Sequence, residues 1–482
     1  VEMESVVLVS DIAFIKRGVA KASPDKVEVD PEQLKELVQG GTVETSDDSA
    51  EENEDEGMEE GEREEKSKKG LRGSATNSEA GDVADMDDEE EAMKEYLKEY
   101  EREEKEGPKK TNEIAGIAMY TNPLDDPYIT KHEDSDEEEE KDDFIIRPDD
   151  NLVIAAKVDK GQYSLEVRVY NEAADDYYVH HDYLLEAPPL CIEPFHYDPG
   201  QEGKKGNLLA VGTMAGEVEI WDIDVVNAVS PAIIFGGGEE GKKKKKNKAK
   251  KERKAAQAVG HEDAVLSIRW NHEMPHILAS GDASGVLILW DIDEAKAATV
   301  VTAREDGGLQ SLHWHPVESS VLLCGSMGGV VTARDCREAE KIAAQWRLPE
   351  GAQVEKVLWN HFSPYYALVS SDDGRLRYLD MRAPGAFAVE AEAHEGGVEA
   401  LAMSCAKTGL AATGGADGSV AIWSVSPTEL EEVHRLPSSL GPLHSLAFSP
   451  NSPLILCAGG EQGELTRILD LAKYEQITSK FA

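Results

Sequence analysis

The chain has 482 residues, enough for one large domain or several small ones. It carries 50 Lys and Arg against 96 Asp and Glu, a net charge of −46. Its five cysteines form no C-x-x-C pair and no apolar run reaches about 18 residues, so neither a disulfide framework nor a membrane-spanning helix is expected. A reducing compartment, cytosolic or nuclear, suits these features. Asp11, Lys16 and Arg17 interrupt the short apolar stretch near the N-terminus, so no signal-peptide core is expected there.

In chain order, the first candidate element is a strand near residues 5–16, containing Asp11-Ile12-Ala13-Phe14. An acidic region follows. From Glu44 to Asp143 there are 39 acids and 13 bases, so these 100 residues carry −26 of the net charge. With few large apolar side chains, the region cannot bury enough surface to offset the entropy of folding. Two islands interrupt it. Met93, Tyr96, Leu97 and Tyr100 recur at helical spacing, and Ile114-Ala115-Gly116-Ile117-Ala118-Met119-Tyr120 leads toward Asp126, Pro127 and Tyr128 as a candidate linear motif. Either island could dock on a partner or on this chain. Ser135, within Asp134-Ser135-Asp136-Glu137-Glu138, is a candidate phosphosite for an acid-directed kinase; Ser46 and Ser49 are weaker candidates.

From residue 144 onward a repeat dominates. Leu289-Trp290-Asp291 is followed by Arg334-Asp335, Leu379-Asp380, Trp423-Ser424 and Leu469-Asp470, with steps of 44, 45, 44 and 46 residues from Trp290. Trp221-Asp222 lies 69 residues before Trp290, and a Lys-rich insert of about 25 residues restores the period. Roughly 40–45 residues is the length of a four-stranded WD-repeat blade. Second-strand candidates number seven: Leu152–Ala156, Leu208–Gly212, Ile277–Ser280, Val321–Gly325, Ala367–Ser370, Leu410–Thr413 and Leu454–Ala458. Each inner strand ends like Ser267-Ile268-Arg269-Trp270. The first blade has a third strand, Tyr163–Tyr170, but no inner strand just upstream; Asp11-Ile12-Ala13-Phe14 matches that template. The expected fold is therefore all-β: a seven-bladed WD40 β-propeller closed by an N-terminal strand, with a long acidic, largely disordered insertion. Its parts are residues 1–20 as the closing strand, 21–143 as the insertion, and 144–482 as the propeller with a Lys-rich loop at 239–258.

Polar residues of the repeat include a blade-stabilising network. His394, Thr413, Asp417 and Trp423 have the order and spacing of a WD-repeat tetrad, in which an Asp orients a His that bonds a hydroxyl and the Trp N–H. His261 and Trp290 give a partial version, with Ser284 where the Asp is expected. The Lys-rich loop holds Lys242, Lys243, Lys244, Lys245, Lys246, Lys248, Lys250, Lys251, Arg253 and Lys254, against one acid, Glu252. Such a run can be read by an import receptor or can neutralise RNA phosphates, and it can also be a solvated loop. No aromatic residue interleaves the lysines, so base stacking is not expected.

A collinear set of motifs runs along the chain: Ile15-Lys16-Arg17-Gly18-Val19-Ala20-Lys21 with Pro24-Asp25-Lys26, then Asp126-Pro127-Tyr128-Ile129-Thr130, then Asp143-Phe144-Ile145-Ile146-Arg147-Pro148-Asp149-Asp150-Asn151-Leu152. It continues through Ala210-Val211-Gly212-Thr213, Ile220-Trp221-Asp222, the Lys run, Gly260-His261 and Trp359-Asn360-His361-Phe362-Ser363-Pro364. On these residues the whole chain resembles the periodic tryptophan protein 1 family of eukaryotic WD-repeat proteins. Arg334, Leu379 and Leu469 depart from the pattern, replacing Trp. The resemblance implies a nuclear, largely nucleolar factor in ribosomal RNA processing and large-subunit assembly, with chromatin binding at ribosomal genes also attached to the family. Its implied partners are pre-ribosomal proteins, pre-ribosomal RNA and histones.

Catalytic readings are poor. His313-x-His315 is expected on one face of a strand but lacks a third metal ligand, and His180-His181 are expected on opposite faces. No nucleophile elbow, P-loop or Cys–His pair occurs, so a scaffold without cofactor is expected. Two other classes stay open: a histone-binding acidic factor, and a substrate receptor of a cullin-type ubiquitin ligase. The latter rests on Arg334-Asp335-Cys336-Arg337 and Leu379-Asp380-Met381-Arg382, which resemble a W-D-x-R box without its Trp.

Overall fold

The computed structural model describes residues 7–26, 113–114, 117–118, 144–199, 205–236, 259–302, 307–338 and 341–481. Two compact units divide the chain, residues 29–138 forming one and the remainder the other. In the smaller unit Glu113–Ile114 and Ile117–Ala118 pair antiparallel. The helical stripe at Met93 to Tyr100, Ser46, Ser49, Ser135, Tyr120, Asp126, Pro127, Tyr128 and all ten bases from Lys242 to Lys254 lie outside the described residues.

The larger unit is a ring of seven antiparallel sheets. Blade 1 is ordered Val7–Ile15, Asn151–Asp159, Gln162–Asn171, Asp176–Leu185. Its inner strand therefore comes from the N-terminus, and the acidic region is an insertion between its first two strands. Asp11 sits opposite Ala156 and Phe14 opposite Val153. Blade 2 comprises Pro189–Phe195, Leu208–Thr213, Val218–Asp222 and Ile233–Phe235. Blades 3 to 6 begin with Val265–Trp270, Leu309–Trp314, Val354–Trp359 and Ala400–Met403, each with three further strands outside. Blade 7 holds Leu443–Phe448, Ile455–Gly460 and Thr466–Asp470.

Second strands are buried throughout because both faces pack on neighbouring blades, so they read as continuous apolar runs. Outer strands alternate, as in Lys296–Thr302. The turn glycines provide close approach. Gly329 has φ +73°, and a Cβ there would lie 2.3 Å from the carbonyl oxygen of Ala352.

The recurring terminal Asp has a local cause. Asp222, Asp291, Asp335, Asp380 and Asp470 each accept, through Oδ1, the N–H of the residue two positions on. Asn171 does the same in blade 1. These are Asx turns, which carry the chain out of the third strand.

The inner strands are joined by a second recurring device. Ser267 Oγ accepts from Leu312 N–H, Ser311 Oγ from Val357 N–H, and Ser445 Oγ from Ile12 N–H, each at 3.0 Å and each from the next blade. Asp11 extends the set. Its Oδ1 accepts from Ser445 Oγ at 2.7 Å and its Oδ2 from Ile192 N–H at 3.0 Å. One carboxylate thus ties blade 7 to blade 1 and blade 1 to blade 2.

Two boundaries differ from expectation. Residues up to Lys26 belong to the ring rather than to the insertion: Asp25–Lys26 pairs parallel with Val225–Val226 of blade 2. After Asp470 the chain forms a turn, Leu471–Lys473, and a helix, Glu475–Lys480, in place of a fourth strand. Leu471, Ile477 and Phe481 bury themselves on the core shared by blades 6 and 7.

Ring closure is testable. Phe14 is buried with Val9, Ile12, Val153, Tyr170 and Cys457. Phe14→Ala should cost roughly 3–5 kcal/mol. Deleting residues 1–20 should do more, because it exposes the second strand of blade 1 as a new edge. Thermal melts decide; an unchanged midpoint after the deletion contradicts closure by this strand.

Candidate functional site

Within each blade, the loops joining strands one to two and three to four emerge on one face, here called lower. The loops joining two to three, and each fourth strand to the next blade, emerge on the upper face. The acidic insertion joins the first two strands of blade 1 and so is rooted on the lower face. The Lys-rich segment joins blade 2 to blade 3 and is rooted on the upper face.

Both roots are pinched. On the lower face Ile146 N–H donates to Ala22 O at 2.9 Å, while Lys21 N–H and Asp25 N–H donate to Oδ1 and the carbonyl of Asp224. Lys26 Nζ sits 3.8 Å from the centre of the Phe144 ring, a cation–π contact joining the two ends of the insertion. Phe144 in turn meets the His180 ring edge-on at 5.9 Å. On the upper face Gly236 and Gly260 touch: a Cβ on Gly260 would lie 2.6 Å from Gly236 Cα. Phe235 stacks on Trp290 at 5.1 Å, and His261 follows at once on the other side of the loop.

His261 anchors that root. Its Nδ1 is 2.9 Å from Asp282 Oδ2 and its Nε2 bonds Ser280 Oγ, which also accepts from Trp290 Nε1 at 2.7 Å. The blade 3 network is therefore complete, and the expectation of an incomplete one with Ser284 in the acid position is corrected. Asp282, at the end of the second strand, takes that role, and Ser284 donates to it. Burial raises the Asp282 carboxyl, but hydrogen bonds from His261, Val286 and Ser284 outweigh it and hold the carboxyl below its usual value. In blade 6, His394 Nδ1 lies 3.0 Å from Asp417 Oδ1, and His394 Nε2 lies 2.8 Å from Thr413 Oγ1. Trp423 Nε1 donates to the same hydroxyl at 2.9 Å. Trp221 differs: its Nε1 donates to buried Glu219 Oε2.

The histidine pairs have structural roles. His313 and His315 both approach Trp359 of the next blade: its main-chain N lies 3.5 Å from His313 Nδ1, and its ring meets His315 edge-on at 4.6 Å. His315 Nδ1 accepts Val317 N–H and Glu318 N–H, as Asn360 Oδ1 accepts Phe362 N–H and Ser363 N–H one blade on. His313 Nδ1 bonds Trp314 O. His180 and His181 do not point apart. A bulge opposite Val167/Arg168 brings their Nδ1 atoms to 2.7 Å. His181 Nε2 reaches Tyr183 OH at 2.9 Å, and burial, then the neighbouring His180, lowers His181 to about 3. Among the described residues no group of three His, Cys, Asp or Glu is placed to hold a metal.

Cys191, Cys324 and Cys457 are buried, and burial pushes each thiol up to about 12; Cys405 is exposed. Arg337 and Arg382 are held by Asp335 and Asp380, and Arg382 also lies 5.1 Å from the Tyr365 and Tyr366 rings. No described helix is long and apolar enough to cross a membrane.

The WD domain, G-beta repeat family matches residues 254–291 and 388–424. These stretches end at the two blades whose Trp–hydroxyl–His–Asp networks are complete. Ring and networks together define a WD-repeat β-propeller. Along its length the chain is 32% identical over 463 residues to the periodic tryptophan protein 1 homolog of Drosophila melanogaster, covering 95% of this chain and 93% of that protein. It is 27% identical to periodic tryptophan protein 1 of Saccharomyces cerevisiae, with 86% and 78% covered. An uncharacterized WD repeat-containing protein of Schizosaccharomyces pombe is 30% identical, with 98% and 91% covered. The chain belongs to the periodic tryptophan protein 1 family.

Two outcomes follow from the polar networks. Asp282→Ala and Asp417→Ala should each cost roughly 1–3 kcal/mol, because each removes the carboxylate that orients a buried imidazole. Ser284→Ala should cost less, since Asp282 keeps its other donors. Denaturation midpoints check this; a larger loss for Ser284→Ala contradicts it. Acid sensitivity should trace to the buried imidazoles. Burial, then Arg269, lowers His313 to about 3, and burial also lowers His361. The unfolded chain takes up these protons near pH 6.5 while the folded chain does not. Stability is therefore unaffected by them above that pH and falls as pH drops below it, by up to about 1.4 kcal/mol per unit per imidazole. His313→Gln should show a shallower fall in melting temperature between about pH 7 and pH 5. Parallel slopes for variant and parent contradict the assignment.

Proposed function

We propose that this protein is a non-catalytic scaffold of nucleolar ribosome biogenesis, acting in ribosomal RNA processing and large-subunit assembly. Family membership over nearly the whole chain supports the setting. The observation that carries the mechanism is that the described ends of two oppositely charged segments leave the ring at opposite faces, each pair of ends pinched together. The rigid blades dock proteins. The Lys segment, leaving from the upper face, meets an import receptor and pre-ribosomal RNA, and the acidic insertion, leaving from the lower face, covers basic pre-ribosomal proteins or histones. A scaffold of this kind works by holding partners together, so its residues need to be rigid rather than reactive.

The two segments are separable by experiment. Replacing Lys242 to Lys246 with Ser should reduce nuclear accumulation while leaving the melting temperature unchanged, because the segment is a loop closed by Gly236 and Gly260. Supplied with an unrelated import signal, the same variant should bind pre-ribosomes more weakly and with a shallower salt dependence, since fewer counterions are released. An unchanged salt slope restricts the lysines to import. Deleting residues 44–110 should leave the ring folded and reduce binding to basic proteins; unchanged binding removes that role from the insertion.

A further inference from the structure

Six blades have four strands and the seventh has three. Its outer strand, Thr466–Asp470, pairs on the inner side with Ile455–Gly460. The bonds Leu471 N–H to Leu454 O at 2.8 Å and Gly460 N–H to Leu465 O at 2.9 Å set the phase of that pairing. In an antiparallel pair, alternate residues turn both main-chain groups toward the partner. Leu465, Arg467, Leu469 and Leu471 do so here, which leaves Thr466, Ile468 and Asp470 with N–H and C=O directed outward. Among the described residues no strand pairs with this edge. In the other six blades an antiparallel strand occupies the place. The described segment that follows takes another path: Asp470 caps the next turn, and the helix Glu475–Lys480 bonds toward blade 6 through Lys480 and Glu431.

The surroundings of the vacant place are those of a strand site. Tyr177, on the fourth strand of blade 1, bonds Thr466 Oγ1 at 3.1 Å, and Leu465 and Ile468 stay only partly buried beside it. The lower end is acidic. Burial, then Asp175, Glu172 and Asp470, raises the Tyr170 phenol. Glu172 and Asp470 have loose cationic neighbours in Arg17 at 3.9 Å and Lys473 at 3.7 Å. Asp175 and Asp176 are exposed and have no ion-pair partner among the described residues.

We propose that the edge Thr466–Asp470 binds an extended segment of a partner protein as the fourth strand of blade 7, antiparallel, with basic residues at the N-terminal end of that segment. An antiparallel fourth strand starts at the lower face, so its N-terminal end lies beside Glu172, Asp175, Asp176 and Asp470. Main-chain bonds supply affinity and the carboxylates supply direction. A five-residue edge with Arg467 at its centre is short and charged enough to resist indiscriminate pairing. This deepens the scaffold reading by naming the chemistry of one partner. It is tested on purified protein, so its failure leaves the nucleolar reading standing, and failure of that reading leaves this edge open to test.

The test is hydrogen exchange on the full chain, alone and with a synthetic peptide of three Lys followed by alternating Val and Thr. Alone, the amides of Ile468 and Asp470 should exchange rapidly; Thr466 is 1% exposed, so its amide is shielded from the start. With the peptide the Ile468 and Asp470 amides should slow roughly tenfold or more. The same peptide with Glu in place of Lys should protect less, and one with alternating Pro should not protect. Ile468→Pro removes an outward N–H that serves no bond within the blade, so it should abolish protection of Asp470 without changing the melting temperature. Should that variant unfold, the double variant Asp175→Asn, Asp176→Asn keeps every strand pairing and should weaken binding of the Lys peptide several-fold with a shallower salt dependence. The proposal is overturned if the Ile468 and Asp470 amides are already protected in the isolated chain, which places the chain itself or a second copy on the edge. It is overturned equally if a folded Ile468→Pro protein binds the Lys peptide with undiminished affinity, or if the double Asn variant does so with an unchanged salt slope.

Discussion

The carboxylate of Asp11 is the joint on which this molecule depends. A propeller is held together by the packing of each blade on the next, and a ring with one open seam has two exposed faces of core. Here the seam lies between the end of the chain and its beginning. Asp11 accepts from the hydroxyl of Ser445 on one side and from the amide of Ile192 on the other. Phe14, Ile12 and Val9 fill the space behind it. Because residues 7–15 form the innermost strand of blade 1, the acidic region becomes an insertion whose two ends meet at Lys26 and Phe144.

The polar residues that the repeat places most regularly are used for the fold. The Asp ending five of the third strands makes an Asx turn, and the Ser opening the inner-strand template in blades 3, 4 and 7 latches the next blade. Asn271, His315, Asn360 and Ser449 each hold the turn after an inner strand. Side chains that would look chemical in isolation, such as the imidazoles of His261 and His394, are locked between a carboxylate and a hydroxyl. What departs from the repeat is two long charged segments of the sequence and, among the described residues, one three-stranded blade.

Much of this was legible in the sequence, for a physical reason. Period and strand alternation report burial, and burial is what a propeller repeats. The seven second strands, the closing strand at Asp11-Ile12-Ala13-Phe14 and the network around Trp423 could all be read from spacing. Three features were not. The acid of the blade 3 network was sought at Ser284, two residues too far, because an Asp at the end of the second strand and one in the following turn both reach the same imidazole. His180 and His181 were expected on opposite faces because alternation holds only in an unbroken ladder, and a bulge breaks it. The missing fourth strand of blade 7 gives no sign in the repeat. It shows only as Leu471, Ile477 and Phe481 spaced for a turn and a short helix. The role of Asp11 had a signal, since it stands where Ser267, Ser311 and Ser445 stand in their blades.

Opposite charges on one chain ordinarily neutralise one another, and a protein with a net charge of −46 has ample acid to cover ten bases. The ring opposes this at the roots. The strands of blade 3 are six residues long, which sets the faces roughly 20 Å apart. The Debye length at physiological salt is about 8 Å. A cation near Gly236 and Gly260 is therefore screened from an acid near Lys26 and Phe144 by more than two such lengths of solvent path. The separation is a property of the roots alone, and it follows from strand length rather than from any charged residue.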